Sequence, residues 1–451
     1  MNGNMVHEKK NYNKSFRAKP TVQMESVKKM EMTKPVRLAV IGAGSRGHGY
    51  ARFACAFPDR LKIVAVAEPD DFRRNRMAEE HKIPPENCFN TWQNFCSRPK
   101  MCDAVAICTQ DNMHEEPAVA CAKLKYHILL EKPMAPTADA CRRITAAVKD
   151  AGVIFGVCHV LRYTKYTSTL RKILLSGEIG QIVSIQHLES VGYWHQAHSF
   201  VRGNWRNEQE SSFMLLAKSC HDLDWLRFIM AQPCRSVHSF GTLFHFKNTE
   251  KPAGAADRCI DCPREIESGC PYSAYKIYFR DRLCKGSKDW PVDILVPEVS
   301  SDTLAEALRT GPYGRCVYAC DNDVVDNQVV NMIFENGATA SMTMTAFTPG
   351  GIGRRTRIFG TRGEIDTDST VIKITRFLDD SIREVNTEAV NDGGILSGHG
   401  GGDFGLMDAF VRAVAENDPT QILSGVDETL ESHLIVFAAE ESRRKGNVET
   451  L

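Results

Sequence analysis

The sequence contains no uninterrupted run of about 18 apolar residues, the length a membrane-spanning helix needs. Nor does it carry an excess of either charge: 56 Lys and Arg balance 56 Asp and Glu, for a formal net charge of zero. That balance argues against nucleic acid or an anionic membrane as the main partner. The amino terminus lacks the charged-then-apolar pattern of a secretory signal. Glu8, Glu25 and Glu31 also break the acid-poor composition of a transit peptide. Residues 1–34 have no hydrophobic period, and this lysine-rich stretch is expected to be a disordered extension. Cysteine is not scarce, but most of the 16 sit singly in apolar segments, among them Cys55, Cys108, Cys121, Cys141 and Cys158. This is the usage of reduced, buried thiols rather than a disulfide framework, and it points to the cytoplasm.

What the chain does have is 451 residues, 43% hydrophobic and 25% charged, the balance of a soluble globular protein. That length exceeds one ordinary core and predicts two domains. The stretch Val36–Gly49 stands out. A short apolar run, V-R-L-A-V-I, leads into Gly42, Gly44 and Gly47 in the spacing G-x-G-x-x-G. Gly42 permits a tight turn out of a strand, Gly44 lets a pyrophosphate approach the backbone, and Gly47 lets the next helix pack close to the sheet. A helix starting near Ser45 would aim its free N–H groups at that anion. A second apolar run, Leu61–Ala67, ends at Glu68, the spacing at which an acid bonds the adenosine ribose. The plainer alternative is a βαβ unit with a surface glutamate.

From Val36 to about His159, apolar strands alternate with helical stretches: Asp71–His81, Glu115–Leu124 and Thr137–Ala151 between strands at 103–108, 126–130 and 153–158. This predicts an α/β fold: a doubly wound parallel sheet of Rossmann type over residues 35–160. Ligands bind such sheets at the carboxyl ends of the strands. That edge collects Gly42–Gly47, Glu68, Thr109–His114, Glu131–Pro133 and His159–Arg162. Residues 161–451 change texture. Period-2 strand patterns at 179–191, 236–246, 328–334, 339–345, 356–359 and 371–376 predict an α+β domain with a largely antiparallel open sheet, closed by helices at 405–416 and 427–444. Residues 247–299 read as a polar, cysteine-bearing insertion with little core of its own.

Lys132 stands at a strand's carboxyl end in Glu131-Lys132-Pro133, where a lysine can exchange a proton with a reacting hydroxyl. A solvent lysine paired with Glu131 is the bland alternative. Arg162, Tyr163, Trp205 and Arg206 suit polyhydroxylated rings through aromatic faces and guanidinium forks, or else simply pack. His399, in G-H-G-G-G-D, lies in a loop of unusual backbone freedom, a ligand approach or a hinge. Cys259, Cys262 and Cys270 follow C-x2-C-x7-C, and with Cys284 downstream they match a structural zinc site. Cys316 and Cys320 also qualify as the fourth ligand. Free thiols, or a redox disulfide between Cys259 and Cys262, are the alternatives.

The glycine loop, T-Q-D-N-M-H (Thr109–His114), E-K-P-M-A (Glu131–Ala135), H-V-L-R-Y (His159–Tyr163), S-G-E-I-G (Ser176–Gly180) and S-C-H-D-L-D (Ser219–Asp224) occur in one order. This resembles the Gfo/Idh/MocA family, the glucose–fructose oxidoreductase and inositol dehydrogenase type, from Lys34 to the end apart from the insertion. The resemblance implies hydride transfer between a sugar or cyclic polyol hydroxyl and a nicotinamide, and a homo-oligomer, dimer or tetramer; the zero net charge and the lack of a long apolar run argue for no nucleic acid or membrane partner. It implies Lys132 as catalytic lysine and His221 as active-site histidine. The family's usual Asp four residues before that histidine is Ala217 here, which puts the carboxylate–histidine relay in doubt. Lys218 follows, and on one helix it would share a face with His221. Expected cofactor contacts are Gly42, Gly44, Ser45, Arg46, Gly47, Glu68, Thr109, Asn112, His114, Glu131 and Lys132. Glu68 favours NAD over NADP, with Arg73 and Arg74 nearby keeping NADP open. Two alternatives follow from the family: an NAD-dependent glycosidase acting by transient ring oxidation and elimination, and a non-catalytic sugar or dinucleotide sensor.

Overall fold

The computed structural model describes residues 34–350, 353–387 and 395–451. The disordered extension expected over residues 1–34 lies outside them except for Lys34. Six strands form an all-parallel sheet: β1 (Val36–Ile41), β2 (Leu61–Ala67), β3 (Cys88–Phe89), β4 (Ala104–Ile107), β5 (His127–Leu130) and β6 (Phe155–Val157), in the order β3-β2-β1-β4-β5-β6. The apolar runs read in the sequence are these strands, buried on both faces by helices. Only the two-residue β3 carried no readable pattern. Direction of winding reverses between β1 and β4. Their register, Leu38 opposite Ala104 through Ile41 opposite Ile107, ends both strands together and opens the crevice there.

Helix boundaries follow local chemistry. Asp70 caps the helix Asp71–His81 by accepting from the Arg73 N–H, and Thr137 caps Ala138–Ala151, which ends at left-handed Gly152.

The second sheet has nine strands: β7 (Ile182–Ser190), β8 (Cys234–Thr242), β9 (Asn327–Phe334), β10 (Thr339–Thr345), β11 (Arg355–Gly360), β12 (Gly363–Thr367), β13 (Val371–Arg376), β14 (Ile382–Asn386) and β15 (Glu449–Thr450). Their order is β14-β13-β12-β11-β7-β10-β9-β8-β15, antiparallel except where β7 runs parallel to β10. One face buries Ile185, Val330, Met332, Met342, Met344, Ile358 and Ile365 against the helices Cys220–Met230 and Val426–Lys445. The final helix also serves the first sheet, because Val426, Leu430 and Phe437 pack into its core. None of the described helices is long and apolar enough to cross a membrane.

The insertion departs from expectation. It shares a third apolar cluster, in which Phe246, Tyr272, Tyr278, Val292, Leu304 and Tyr318 pack with Ala197 and Val201. The sequence hid this core because Arg264–Glu267 and Tyr275–Arg280 are turns of four and six residues, too short to print a period.

Candidate active site

The glycine loop follows directly from β1. Gly42 has φ +89°, and a Cβ there would stand 2.7 Å from the Cys108 carbonyl oxygen, so only glycine fits between the tips of β1 and β4. A Cβ on Gly47 would lie 2.0 Å from the Gly42 carbonyl oxygen, whereas one on Gly44 would meet nothing within 4 Å. Gly44 thus faces open space. The helix that begins at Ser45, α1 (Ser45–Ala56), has neither a side-chain cap nor an acid in its first turn. Its free N–H groups suit an anion. Glu68 is buried at the tip of β2, where its carboxylate accepts from the Ala43 N–H at 2.7 Å and the Asp70 N–H at 3.0 Å. These residues fit a dinucleotide: open backbone for the pyrophosphate, and a carboxylate at ribose distance from the loop.

Arg46 turns away from that anion site. Its guanidinium donates to Glu131 at 2.6 Å and Asp403 at 2.8 Å and lies over Tyr50. Glu131 also accepts from the Tyr50 hydroxyl at 2.8 Å and the Lys132 N–H at 2.7 Å. Burial pushes the Glu131 carboxyl up, but Arg46 and Lys132 outweigh it and hold the group below the usual carboxylate range. Asp403 reaches His399 Nδ1 at 3.1 Å, and His399 itself has left-handed φ +48°. His114 lies fully buried, with Nδ1 2.8 Å from the Pro133 carbonyl and Nε2 3.1 Å from that of Thr109. It braces two loops against each other. Thr109 donates to the Met113 carbonyl, and Asn112 is exposed beside it.

The bland reading of Lys132, a solvent lysine paired with Glu131, does not hold. Its Nζ crosses to the second domain and donates to the Ala217 carbonyl at 2.7 Å. A carbonyl thus receives this lysine at the position where the family's usual Asp is missing. Lys218 and His221 are not on one helix as expected. The chain breaks between Met214–Ala217 and Cys220–Met230, with Lys218 and Ser219 at the junction. Lys218 instead reaches Glu189 on β7 at 3.1 Å, and Arg354 binds Glu189 at 3.1 Å and also Asp222. Asp222 accepts from His187 at 3.0 Å. His221 is buried, with Nδ1 unpartnered. Burial, then the charge of Lys132, hold it well below the usual histidine range, so it is neutral near pH 7. His399 lies with its ring 6.2 Å from His221, and His159 with its ring 5.8 Å away.

Four residues read as sugar contacts have other partners. Arg162 is 2% exposed and forms a two-pronged pair with Asp224, at 2.8 and 2.6 Å. The Tyr163 hydroxyl accepts from the Leu423 and Ser424 N–H groups at 2.9 and 3.1 Å. Trp205 packs on the second core, and Arg206 is held by Asp321 and Glu210. The site instead draws on residues no motif announced. His195 is depressed by burial and then by Lys218, with Lys132 also contributing, and Trp290 of the insertion meets its ring edge-on at 4.9 Å. Only an aromatic-rich Y-W-H at 193–195 hinted at this wall.

Two sequence profiles match: "oxidoreductase family, NAD-binding Rossmann fold" over residues 36–159 and "oxidoreductase family, C-terminal alpha/beta domain" over 171–450. The chain belongs to the Gfo/Idh/MocA oxidoreductase family. Its first domain is therefore an NAD-binding Rossmann domain, with the glycine loop and Glu68 as the residues suited to hold the coenzyme. Among family relatives, the 2,7-anhydro-N-acetylneuraminate hydratase of Escherichia coli K12 is 28% identical over 46% of this chain and 52% of its own. The myo-inositol 2-dehydrogenase of Thermotoga maritima is 26% identical over 50% of this chain and 64% of its own. The chain thus spans between half and two thirds of these relatives' lengths. In fold, levoglucosan dehydrogenase in complex with NADH and levoglucosan superposes with a TM-score of 0.65 at 20% identity, over 92% of this chain and 99% of that one.

Proposed function

We propose that the chain is an NAD-dependent dehydrogenase acting on a CH–OH group of a sugar or cyclic polyol. The observation that carries this reading is the meeting of Lys132, from the tip of β5, with the segment Ala217–His221 of the other domain, beside the glycine loop. Bound NAD+ supplies a hydride acceptor at carbon four of its nicotinamide. Lys132 exchanges its Ala217 acceptor for the substrate oxygen and stabilises the negative charge that grows there. Neutral His221, whose buried Nδ1 has no other partner, is the base that takes the hydroxyl proton. Lys218, oriented by Glu189, lends a second positive charge to the pocket. Glu68 favours NAD over NADP, since a carboxylate repels a ribose phosphate. Arg74 cannot offset it readily, being held on the Glu68 carbonyl at 2.6 Å and on Asp71.

A second reading, transient oxidation followed by elimination with the coenzyme retained, is favoured by two facts: Ala217 replaces the relay carboxylate, and two relatives are hydratases. One assay separates the two. A panel of sugars, polyols, aryl glycosides and anhydro-sugars is followed for both NADH and eliminated product. Net NADH supports the dehydrogenase; product without NADH supports elimination. In either case Lys132→Ala should keep coenzyme affinity within a few-fold and lose turnover by about a hundredfold or more. Turnover equal to the parent's would remove Lys132 from proton transfer.

The same proposal includes a homo-oligomer in a reducing compartment such as the cytoplasm. All 16 cysteines are free thiols, and the second sheet's outer face leaves Phe240 59% exposed on β8. Light scattering at the mass of a single chain would count against the oligomer.

A further inference from the structure

We propose that Cys259, Cys262, Cys270 and Cys316 bind one zinc ion as four thiolates and so fasten the insertion. The four side chains line a single small apolar pocket. Three come from the C-x2-C-x7-C segment. The fourth arrives on a distant stretch of chain, brought alongside by the isolated bridge Arg258–Arg315 and by the Cys316 N–H bond to the Asp257 carbonyl at 2.8 Å. Cys284, the ligand nearest in sequence, is exposed and lies outside this pocket. Glu267, the one carboxylate lining it, is already held by Ser273 and Arg280.

An independent observation asks for an anion here. Arg202 is 1% exposed yet has no carboxylate partner among the described residues. It donates to the carbonyls of Arg315 at 2.7 Å and Tyr272 at 2.8 Å, and reaches Cys259 Sγ at 3.5 Å, while Nη1 is buried with no partner. A buried cation without a counter-charge is strongly unfavourable. Four neutral thiols offer it none, whereas four thiolates outweigh the charge of one Zn2+ and leave an anionic centre beside the guanidinium. Binding releases the four thiol protons to solvent.

No three of these sulfurs lie within 4.8 Å of one another, so holding one zinc ion would require the four side chains to turn inward into the pocket. The group that does meet that distance, Cys55, Glu80 and His81, is largely exposed, and nothing else points to a ligand there. The fastened segment carries Trp290, which packs on His195, so the metal's role is to hold that wall of the site.

The test is elemental analysis of the full chain, purified under reducing conditions without chelator, for the parent, Cys316→Ser and Cys284→Ser. One zinc per chain is expected in the parent and in Cys284→Ser, with at least a tenfold loss in Cys316→Ser. Should Cys316→Ser fail to fold, maleimide labelling of the parent decides: Cys259, Cys262, Cys270 and Cys316 should label only after a chelator removes zinc, and Cys284 at once. A metal-free parent that takes up no added zinc, zinc lost from Cys284→Ser rather than Cys316→Ser, or all five thiols labelling together would overturn the proposal.

Discussion

Arg162 illustrates how a residue's role depends on a partner the sequence cannot name. In H-V-L-R-Y it reads as a guanidinium offered to a ligand, but Asp224, 62 positions later, claims both prongs inside the core. Removing one member of a buried pair leaves the other charge unpaired. Arg162→Ala should therefore cost about 3–5 kcal/mol of stability, read as a lower urea midpoint. A variant that stays folded should show little change in sugar KM. Unchanged stability with a raised KM would restore the ligand-contact reading. His114 was legible as part of the crevice edge, yet its ring is occupied by two carbonyls. Lys132 was legible by position alone, since a strand tip beside a coenzyme loop fixes where its side chain must start.

At the scale of elements, the glycine loop and α1 divide two functions between neighbouring glycines. A methyl at Gly44 meets no protein atom within 4 Å, so Gly44→Ala should keep the melting temperature within a few degrees and weaken NADH binding at least tenfold, as measured by fluorescence titration. A methyl at Gly47 strikes backbone, so Gly47→Ala should lower stability and binding together. Equal affinity of Gly44→Ala and parent for NADH would show that the coenzyme does not approach there. Long periodic helices and strands were readable because burial imposes their period. The break at Lys218–Ser219 was not, because Ala-Lys-Ser-Cys offers no proline or glycine to mark it.

The whole molecule holds several histidines neutral at the seam between its domains. Burial is the main cause, and it lowers His159 to about 3 and His433 to about 4 from an ordinary 6.5. The unfolded chain binds protons there that the folded chain refuses, so ν_U exceeds ν_N below about pH 6.5. Stability is complete above that pH and falls as pH drops toward about 4, by roughly 1.4 kcal/mol per unit for each histidine. Asp224, held below its ordinary 3.8, adds a loss only at lower pH. The unfolding free energy from urea titrations should therefore fall by about 2–4 kcal/mol between pH 7.5 and pH 5. A flat profile over that interval would mean these rings accept protons in the folded state.

By itself the sequence determined the parallel sheet, the coenzyme loop and the lysine beside it, because each rests on local pattern: burial period, glycine spacing, strand-tip position. The tertiary structure alone decided which charges neutralise one another and which cysteines share a pocket. It also decided that Trp290 stands against His195 from an insertion with no readable period. Electrostatic pairing acts through space over a few ångströms, and the chain brings together residues such as Arg46 and Asp403, 357 positions apart, with nothing local to announce it.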